Sequence, residues 1–318
     1  MEPLAAIPQA QSSIDSLAAL TGSDLTTTDL SRLSVVIPAY NEERGIAAVL
    51  ETLCGEAALS GAEILVVDDG STDATGALVE RFSRVRLIRH SHNKGYGSSI
   101  VTGIKAARGD FVAWFDADGQ HRVQDLILVA RTMIQENLDY CIGARDENSY
   151  QDSNRRFGKF ILKAAVRLAA GNAIQDFNSG LRGFKRDVIR KYLHLLPKGF
   201  GASTTTSLIM IERGYLGKEV PILVQNRIGK SSVNQLRDGL KTLMLVLRIF
   251  LLFKPMQFFG SIGMFFILLG GVYGFEKAIR IRQGFPVLAA LAIIFGIQAV
   301  FFGLLADQVS SLRREKFE

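Results

Sequence analysis

Between Leu33 and Arg145, apolar runs rich in β-branched and aliphatic residues alternate with stretches whose apolar positions recur every three or four residues. "LSVVIPAY", "AEILVVDDG", "VRLIRH", "FVAWF" and "LDYCIGA" read as five strands. "EERGIAAVLETL", "STDATGALVERF", "YGSSIVTGIKAA" and "RVQDLILVARTMI" read as the helices between them, with Ser71 and Asp73 as natural caps of the second. Strict alternation of this kind predicts an α/β domain with a Rossmann-like, mostly parallel sheet covered on both faces. Such sheets bind ligands beyond the carboxyl ends of their strands, so the chemistry is expected in the loops found there.

The pattern changes after residue 231. From Gln235, "QLRDGLKTLMLVLRIFLLF" sets Arg237, Lys241 and Arg248 on a narrow arc opposite a broad apolar face, as in a helix lying in the headgroup layer. Met256–Gly274 and Pro286–Ala306 then carry no charge, and each is long enough to cross a hydrocarbon core of about 30 Å. Buried core helices are the competing account, but they rarely run so far without a polar face. The reading divides the chain into a polar tail (1–32), an α/β domain (33–231), an amphipathic juxtamembrane helix (232–255), a transmembrane hairpin (256–306, spans 256–274 and 286–306) and a basic tail (307–318). Gly270 and Gly274 form a Gly-x-x-x-Gly in the first span, which permits close packing either within the hairpin or between the subunits of a homo-oligomer.

Charge suggests an orientation. Arg237, Lys241, Arg248 and Lys254 precede the first span and Arg313, Arg314 and Lys316 follow the second, whereas the connecting loop holds only Lys277, Arg280 and Arg282. Basic residues favour the cytoplasmic side, so an integral membrane protein with its α/β domain and both termini in the cytoplasm is expected. The formal charge of +6 and pI near 9.3 fit an anionic leaflet as partner, and with no recognition motif or lysine-rich block, nucleic acid is not expected. Cys54 and Cys141 read as reduced, packed thiols without metal-ligand spacing, and the first residues lack the basic start and apolar core of a signal peptide.

The strand ends run into "PAYNEE", "DDGSTD", "HNKGYG", "DADGQ" and "ARDE". Carboxylates gathered at one rim repel one another unless a cation or a donor-rich ligand sits among them. If "DADGQ" continues extended, Asp116 and Asp118 project to one side and share a cation, with Gln120 as a third oxygen donor. A hard divalent ion that also grips a diphosphate suits so few carboxylates, and the bland alternative is an acidic turn capping the next helix. Two glycine motifs fail as nucleotide loops. "IGKSSV" has Val224 where the phosphate-cradling loop needs its first glycine, and "GYGSSI" has Ile100 where a dinucleotide fingerprint needs its third.

In order, "SVVIPAYNEE", "VVDDGSTD", "NKGYGSS", "DADGQH", "IGAR" and "NSGLRGF", followed by a two-helix hairpin, resemble the family 2 inverting glycosyltransferases with a GT-A fold. More narrowly, they resemble the polyisoprenyl-phosphate glycosyltransferases, which include the dolichyl-phosphate mannose synthases. The resemblance runs from Leu33 to the chain end. It implies transfer of one sugar from a UDP- or GDP-linked donor to a polyprenyl monophosphate of undecaprenyl or dolichyl type. The acceptor phosphate would be the nucleophile and the anomeric centre would invert.

Laid onto this chain, the resemblance implies that Pro38, Tyr40, Glu42, Asp68, Asp69, Lys94 and Arg227 bind the nucleotide, and that Asp116, Asp118 and Gln120 hold Mg²⁺ or Mn²⁺ against the diphosphate. Arg145, Arg155, Arg156 and Arg182 would serve the acceptor phosphate, and Asp176 would orient the sugar or accept a proton. A phosphate monoester with a second pKa of about 6 is largely dianionic at neutral pH and needs fixed positive charge more than a base. The chain departs from its relatives in "QHRV", where they commonly carry "QHPP", and in "GKSS", which sets Lys230 before the serines. Two rival readings remain: a transferase acting on a diacylglycerol or saccharide, and a catalytically inactive nucleotide-binding membrane scaffold. The arginines argue against the first, since a neutral hydroxyl calls for a base, and the intact Asp116 and Asp118 argue against the second.

Overall fold

The five expected strands form in the computed structural model as β1 (Leu33–Ala39), β2 (Glu63–Asp68), β3 (Val85–Arg89), β4 (Phe111–Trp114) and β5 (Tyr140–Arg145). The helices between them are α1 (Ile46–Gly55), α2 (Thr75–Val79), α3 (Tyr96–Ala106) and α4 (Val123–Gln135). The structure describes residues 28–145, 176, 179–199, 201–224, 244, 251, 254–280 and 284–315, in two compact units, one holding the sheet and the other two long helices.

Among the described residues of the first unit stand also β6 (Arg182–Lys185), α5 (Arg186–Arg190), α6 (Ala202–Glu212) and β7 (Gly217–Ile222), with short 3-10 turns at Ala57–Leu59 and Leu193–Leu195. The sheet order is β3-β2-β1-β4-β6-β5-β7. All pairings are parallel except those of β6, which runs antiparallel to β4 and β5. The carboxyl ends of the other strands and the amino end of β6 therefore share one edge.

Burial explains the order. β1 is buried along its whole length: α3 packs on one face, where a Cβ at Gly103 would fall 2.2 Å from Val36 Cγ1, and Val35 and Ile37 share one core cluster with Ile46, Leu50 and Leu53 of α1. Pro38 in this interior strand costs no ladder bond. The carbonyls of Arg32 and Val36 accept the N–H groups of Phe111 and Phe115, so alternate residues of β1 face β4, and Pro38 faces that side beyond the end of their pairing. The sheet opens there, as β4 turns away into "DADGQ".

Two boundaries differ from the expected ones. α1 starts only at Ile46, because Glu42–Gly45 forms a turn in which the Glu42 carbonyl takes the N–H groups of Gly45 and Ile46. At α2, Asp73 accepts from the Thr75 N–H and hydroxyl at 2.9 and 2.5 Å, while the Ser71 hydroxyl instead accepts the Asn41 N–H.

In the second unit, α7 (Pro255–Phe275) runs on through a π turn at Glu276–Arg280, and α8 is Val287–Glu315. Pro255–Arg280 and Val287–Leu312 are both long and apolar enough to cross a membrane. Their interface is lined by glycine. A Cβ at Gly263 would meet the Gly296 carbonyl at 2.6 Å, one at Gly270 the Ala289 carbonyl at 2.8 Å, and one at Gly274 the Phe285 ring at 2.4 Å. The Gly-x-x-x-Gly is thus used within the hairpin. The expected juxtamembrane helix lies outside the described residues except for Met244, Leu251, Lys254 and Pro255, the last already the first residue of α7.

Candidate active site

Three groups of side chains meet the sheet edge. At the ends of β1 and β2, Asn41 takes a left-handed conformation (φ 55°), which asparagine tolerates better than most residues. Its N–H donates to Ser71 Oγ at 3.0 Å and its Oδ1 accepts the Thr72 N–H at 2.9 Å. The Glu42 N–H donates to Thr75 Oγ1 at 2.8 Å. These bonds fasten "YNE" to "GSTD" and leave Tyr40 44% exposed beside them.

Three residues expected at the nucleotide are buried. Asp69 is 3% exposed. Its Oδ1 accepts the Lys94 N–H and lies 2.7 Å from His90 Nδ1, and its Oδ2 accepts the Gly95 N–H. It fixes the loop before α3, while the Lys94 side chain stays exposed. Pro38 is buried and shapes the strand end. Asp68 is also buried, its Oδ1 accepting the Ser71 N–H and its Oδ2 lying 3.7 Å from Arg89 Nε.

The second group follows β4. The extended geometry expected for "DADGQ" is not formed. Pairing stops at Trp114, residues 117–119 turn, Gly119 takes a positive φ of 71°, and Asp118 Oδ1 accepts the Gln120 N–H at 3.1 Å. An aspartate closing a turn onto the second following N–H competes well with continued strand. The two carboxylates still meet electrostatically at one atom, the Tyr96 hydroxyl, which donates to Asp116 Oδ1 at 2.7 Å. Burial first, then Asp116 and Asp118, push the Tyr96 phenol well above its usual 10. Gly180 crosses close by, where a Cβ would stand 2.5 Å from Asp116 Oδ2 and 3.0 Å from His121 Nε2.

Arg145 and Asp176 make the third group. Arg145 Nε and Nη2 donate to the two Asp176 oxygens at 2.7 Å each, and the Arg145 backbone N–H adds a third bond at 3.1 Å. Burial works to raise the Asp176 carboxyl, but the hydrogen bonds and charge of Arg145 outweigh it and hold the group below the usual carboxylate range. Glu219 on β7 fixes the segment by accepting the Asp176 N–H at 2.9 Å. Burial, then the charge of Arg145, lowers the nearby His121 to about 4, and its Nδ1 is buried without a partner.

Arg182, expected at the acceptor phosphate, is fully buried. Its guanidinium donates to the carbonyls of Ser179 and Ser203 and to the hydroxyls of Thr206 and Ser207, at 2.6 to 3.1 Å, and lies 5.6 Å from the Trp114 ring centre. Burial lowers its pKa to about 10. It is a buried cation beneath the carboxylates. Arg155, Arg156 and Arg227 lie outside the described residues. Tyr96 and the α6 hydroxyls had no role in the sequence reading. The signal was present in "GYG": Gly95, at φ 98°, and Gly97 admit the carbonyls of Lys198 and Pro197, and this aims the tyrosine between them at β4.

Comparison with known proteins adds three findings. Residues 34–193 match the model of "Glycosyl transferase family 2", and residues 254–312 match the "GtrB C-terminal hairpin". The chain is 30% identical over 212 residues to a UDP-N-acetylglucosamine–dolichyl-phosphate N-acetylglucosaminyltransferase of Methanococcus voltae, covering 59% of this chain and 83% of the relative. It is 27% identical over 301 residues to an undecaprenyl-phosphate 4-deoxy-4-formamido-L-arabinose transferase of Pseudomonas fluorescens, covering 88% and 85%. In fold it is similar to glucosyl-3-phosphoglycerate synthase of Mycobacterium tuberculosis, crystallised with Mn²⁺, UDP and glucosyl-3-phosphoglycerate, at TM-score 0.56 and 20% identity over 71% and 83% of the two chains. The arrangement is GT-A.

Proposed function

The chain belongs to glycosyl transferase family 2, and from that premise we propose that this glycosyltransferase moves one sugar from a nucleotide-diphosphate sugar, UDP- or GDP-linked, to a polyprenyl monophosphate at the cytoplasmic membrane face. The observation that carries the reading is the presence in one chain of a paired-carboxylate turn at the end of β4 and a hairpin of two apolar helices. Two relatives named for transfer to dolichyl phosphate and undecaprenyl phosphate support the acceptor class. The excess of basic residues flanking the spans supports a cytoplasmic side for the α/β domain and both termini.

Asp116, Asp118 and Gln120 offer the oxygen donors a hard divalent ion takes, and the two charges on one turn favour binding it. Mg²⁺ or Mn²⁺ held there would relieve the charge that builds on the departing diphosphate. The chain's own residues do the rest. Tyr96 fixes one Asp116 oxygen by its hydrogen bond. Tyr40, Glu42, Asp68 and Lys94 lie at the donor end of the edge, Tyr40 exposed to cover a base and Asp68 set behind the "DDGST" loop. Arg227 would close over the diphosphate.

Arg145 spends only Nε and Nη2 on Asp176, which leaves Nη1 to grip an acceptor oxygen, with Arg155 and Arg156 as further donors. Asp176, held ionised by the same pair, accepts hydrogen bonds from sugar hydroxyls. A dianionic phosphate aligned behind the anomeric carbon attacks in a single displacement that inverts the centre.

The test gives the full chain in lipid nanodiscs a panel of UDP- and GDP-sugars, a polyprenyl phosphate and Mg²⁺ or Mn²⁺, with mass spectrometry of the lipid extract. One sugar on the lipid phosphate from one donor, absent in Asp118→Ala, is expected. Metal-dependent nucleotide binding without glycolipid from any donor would overturn the acceptor assignment.

A further inference from the structure

Polar side chains from three elements meet beside the loop that opens α3. Asp69 follows β2, His90 follows β3, and Thr102 stands within α3. His90 Nδ1 lies 2.7 Å from Asp69 Oδ1, and its Nε2 lies 2.9 Å from Thr102 Oγ1. Asp69 and His90 are 3% and 8% exposed, so His90 is not a solvated loop histidine. Because a carboxylate offers acceptors, Nδ1 is the donor to Asp69, and in the neutral ring Nε2 accepts from the Thr102 hydroxyl. Each ring nitrogen is thereby used, and the hydroxyl on one decides the role of the other.

The carboxylate spends its remaining bonds on one loop. Oδ1 accepts the Lys94 N–H at 2.9 Å and Oδ2 the Gly95 N–H at 2.8 Å, just ahead of α3, where a helix favours a negative group. Both N–H groups belong to the loop, so by themselves they would let carboxylate and loop turn together. His90 prevents this from the sheet side. Its own N–H donates to the Asp68 carbonyl at 2.8 Å, and the Asp69 N–H donates to the Ala39 carbonyl at 2.9 Å, so both side chains start from backbone fixed to the sheet. Gly95 carries the constraint forward: it takes φ 98°, and a Cβ on it would stand 2.5 Å from the Lys198 carbonyl. The next residue is Tyr96, whose hydroxyl donates to Asp116 Oδ1 at 2.7 Å.

We propose that His90 is a positioning residue for the reaction: through Asp69 it fixes the Lys94–Gly95 loop, and through that loop the Tyr96 hydroxyl that orients Asp116 toward a divalent ion. The inference rests on the reading of Asp116 and Asp118 as the groups that hold that ion.

The test follows Mn²⁺ affinity of the full chain in lipid nanodiscs by electron paramagnetic resonance, with Asp118→Ala as the control that the ion sits at this turn. Two replacements divide the bonds of the ring. His90→Asn carries an amide donor near the place of Nδ1, facing Asp69, whereas His90→Gln carries its amide near the place of Nε2, facing Thr102. His90→Gln is expected to bind Mn²⁺ about 10-fold more weakly and His90→Asn as tightly as the wild type, while the two melt within a few degrees of each other. In a Tyr96→Phe background, His90→Gln is expected to cost nothing further, because its effect passes through that hydroxyl. Equal affinity in the two His90 variants, or a His90→Gln effect that adds in full to that of Tyr96→Phe, overturns the proposal and leaves the imidazole a packing group. Wild-type Mn²⁺ binding that is absent, or that survives Asp118→Ala, overturns the reading of the metal turn and this inference with it.

Discussion

The hydroxyl of Tyr96, the first residue of α3, donates a 2.7 Å hydrogen bond to Oδ1 of Asp116, the first carboxylate after β4. Tyr96 is itself held from behind, because Asp69 clamps the N–H groups of Lys94 and Gly95. With its pKa raised, the phenol keeps its proton and always presents it to the carboxylate. Tyr96→Phe keeps the ring and loses the bond. Partners that orient a ligating carboxylate are worth about 10- to 100-fold in metal affinity or activity. Mn²⁺ affinity, followed by electron paramagnetic resonance, is expected to fall within that range while the melting temperature moves by only a few degrees. An unchanged Mn²⁺ affinity would mean that Asp116 does not need the tyrosine.

Asp176 makes stability depend on pH at the acid end. Its folded pKa lies below the unfolded value of about 3.9, so the Arg145 pair stabilises fully above that value. The contribution is lost as pH falls through the lower, folded pKa. Asp176→Asn is therefore expected to melt below the wild type at pH 7 and to approach it as pH drops below about 4. Thermal melts of both proteins across that interval check the sign.

Arg182 separates burial from binding. Replacing it with Met takes the donor from the buried Ser179 carbonyl, which costs about 1–3 kcal/mol when left unsatisfied, while Ser203, Thr206 and Ser207 stay bonded to one another. A loss of about 1–3 kcal/mol in denaturant unfolding is expected. Where enough folded enzyme survives, KM for the lipid phosphate should hold. Arg145→Lys, which loses the planar fork, is expected to do the reverse, raising that KM with a smaller change in stability.

The hairpin glycines can be tested as a pair. Valine at Gly270 would drive its Cβ to 2.8 Å from the Ala289 carbonyl, whereas at Gly271 nothing lies within 4 Å. Gly270→Val is expected to destabilise the hairpin by about 1–3 kcal/mol and Gly271→Val to leave it unchanged, as read by proteolysis in detergent.

The sheet from β1 to β5 was legible because its periods switch cleanly between strand and helix over "LSVVIPAY" through "LDYCIGA". β6 and β7 were not. "RGFK" is four residues, and "GKEVPI" is an edge strand carrying the adjacent charges of Lys218 and Glu219 and a proline, so neither has an apolar pattern. Residue type singled out Asp116 and Asp118, but the strand period misjudged their backbone, since a side chain closing onto its own chain overrides extension. The family resemblance implied ligand contacts for Asp69 and Arg182, and it carried no information on burial. Their burial became visible only once Lys94, Gly95 and the α6 hydroxyls folded onto them.

The central claim is that a lipid monophosphate is the nucleophile. The most direct measurement offers the wild-type chain one active donor with three acceptors in the same membrane, a polyprenyl monophosphate, the polyprenol of equal chain length and a diacylglycerol, and follows product masses. Glycolipid carrying one sugar and one phosphate, formed from the monophosphate alone, is the result the account predicts. Sugar attached to the polyprenol or to the diacylglycerol would contradict it.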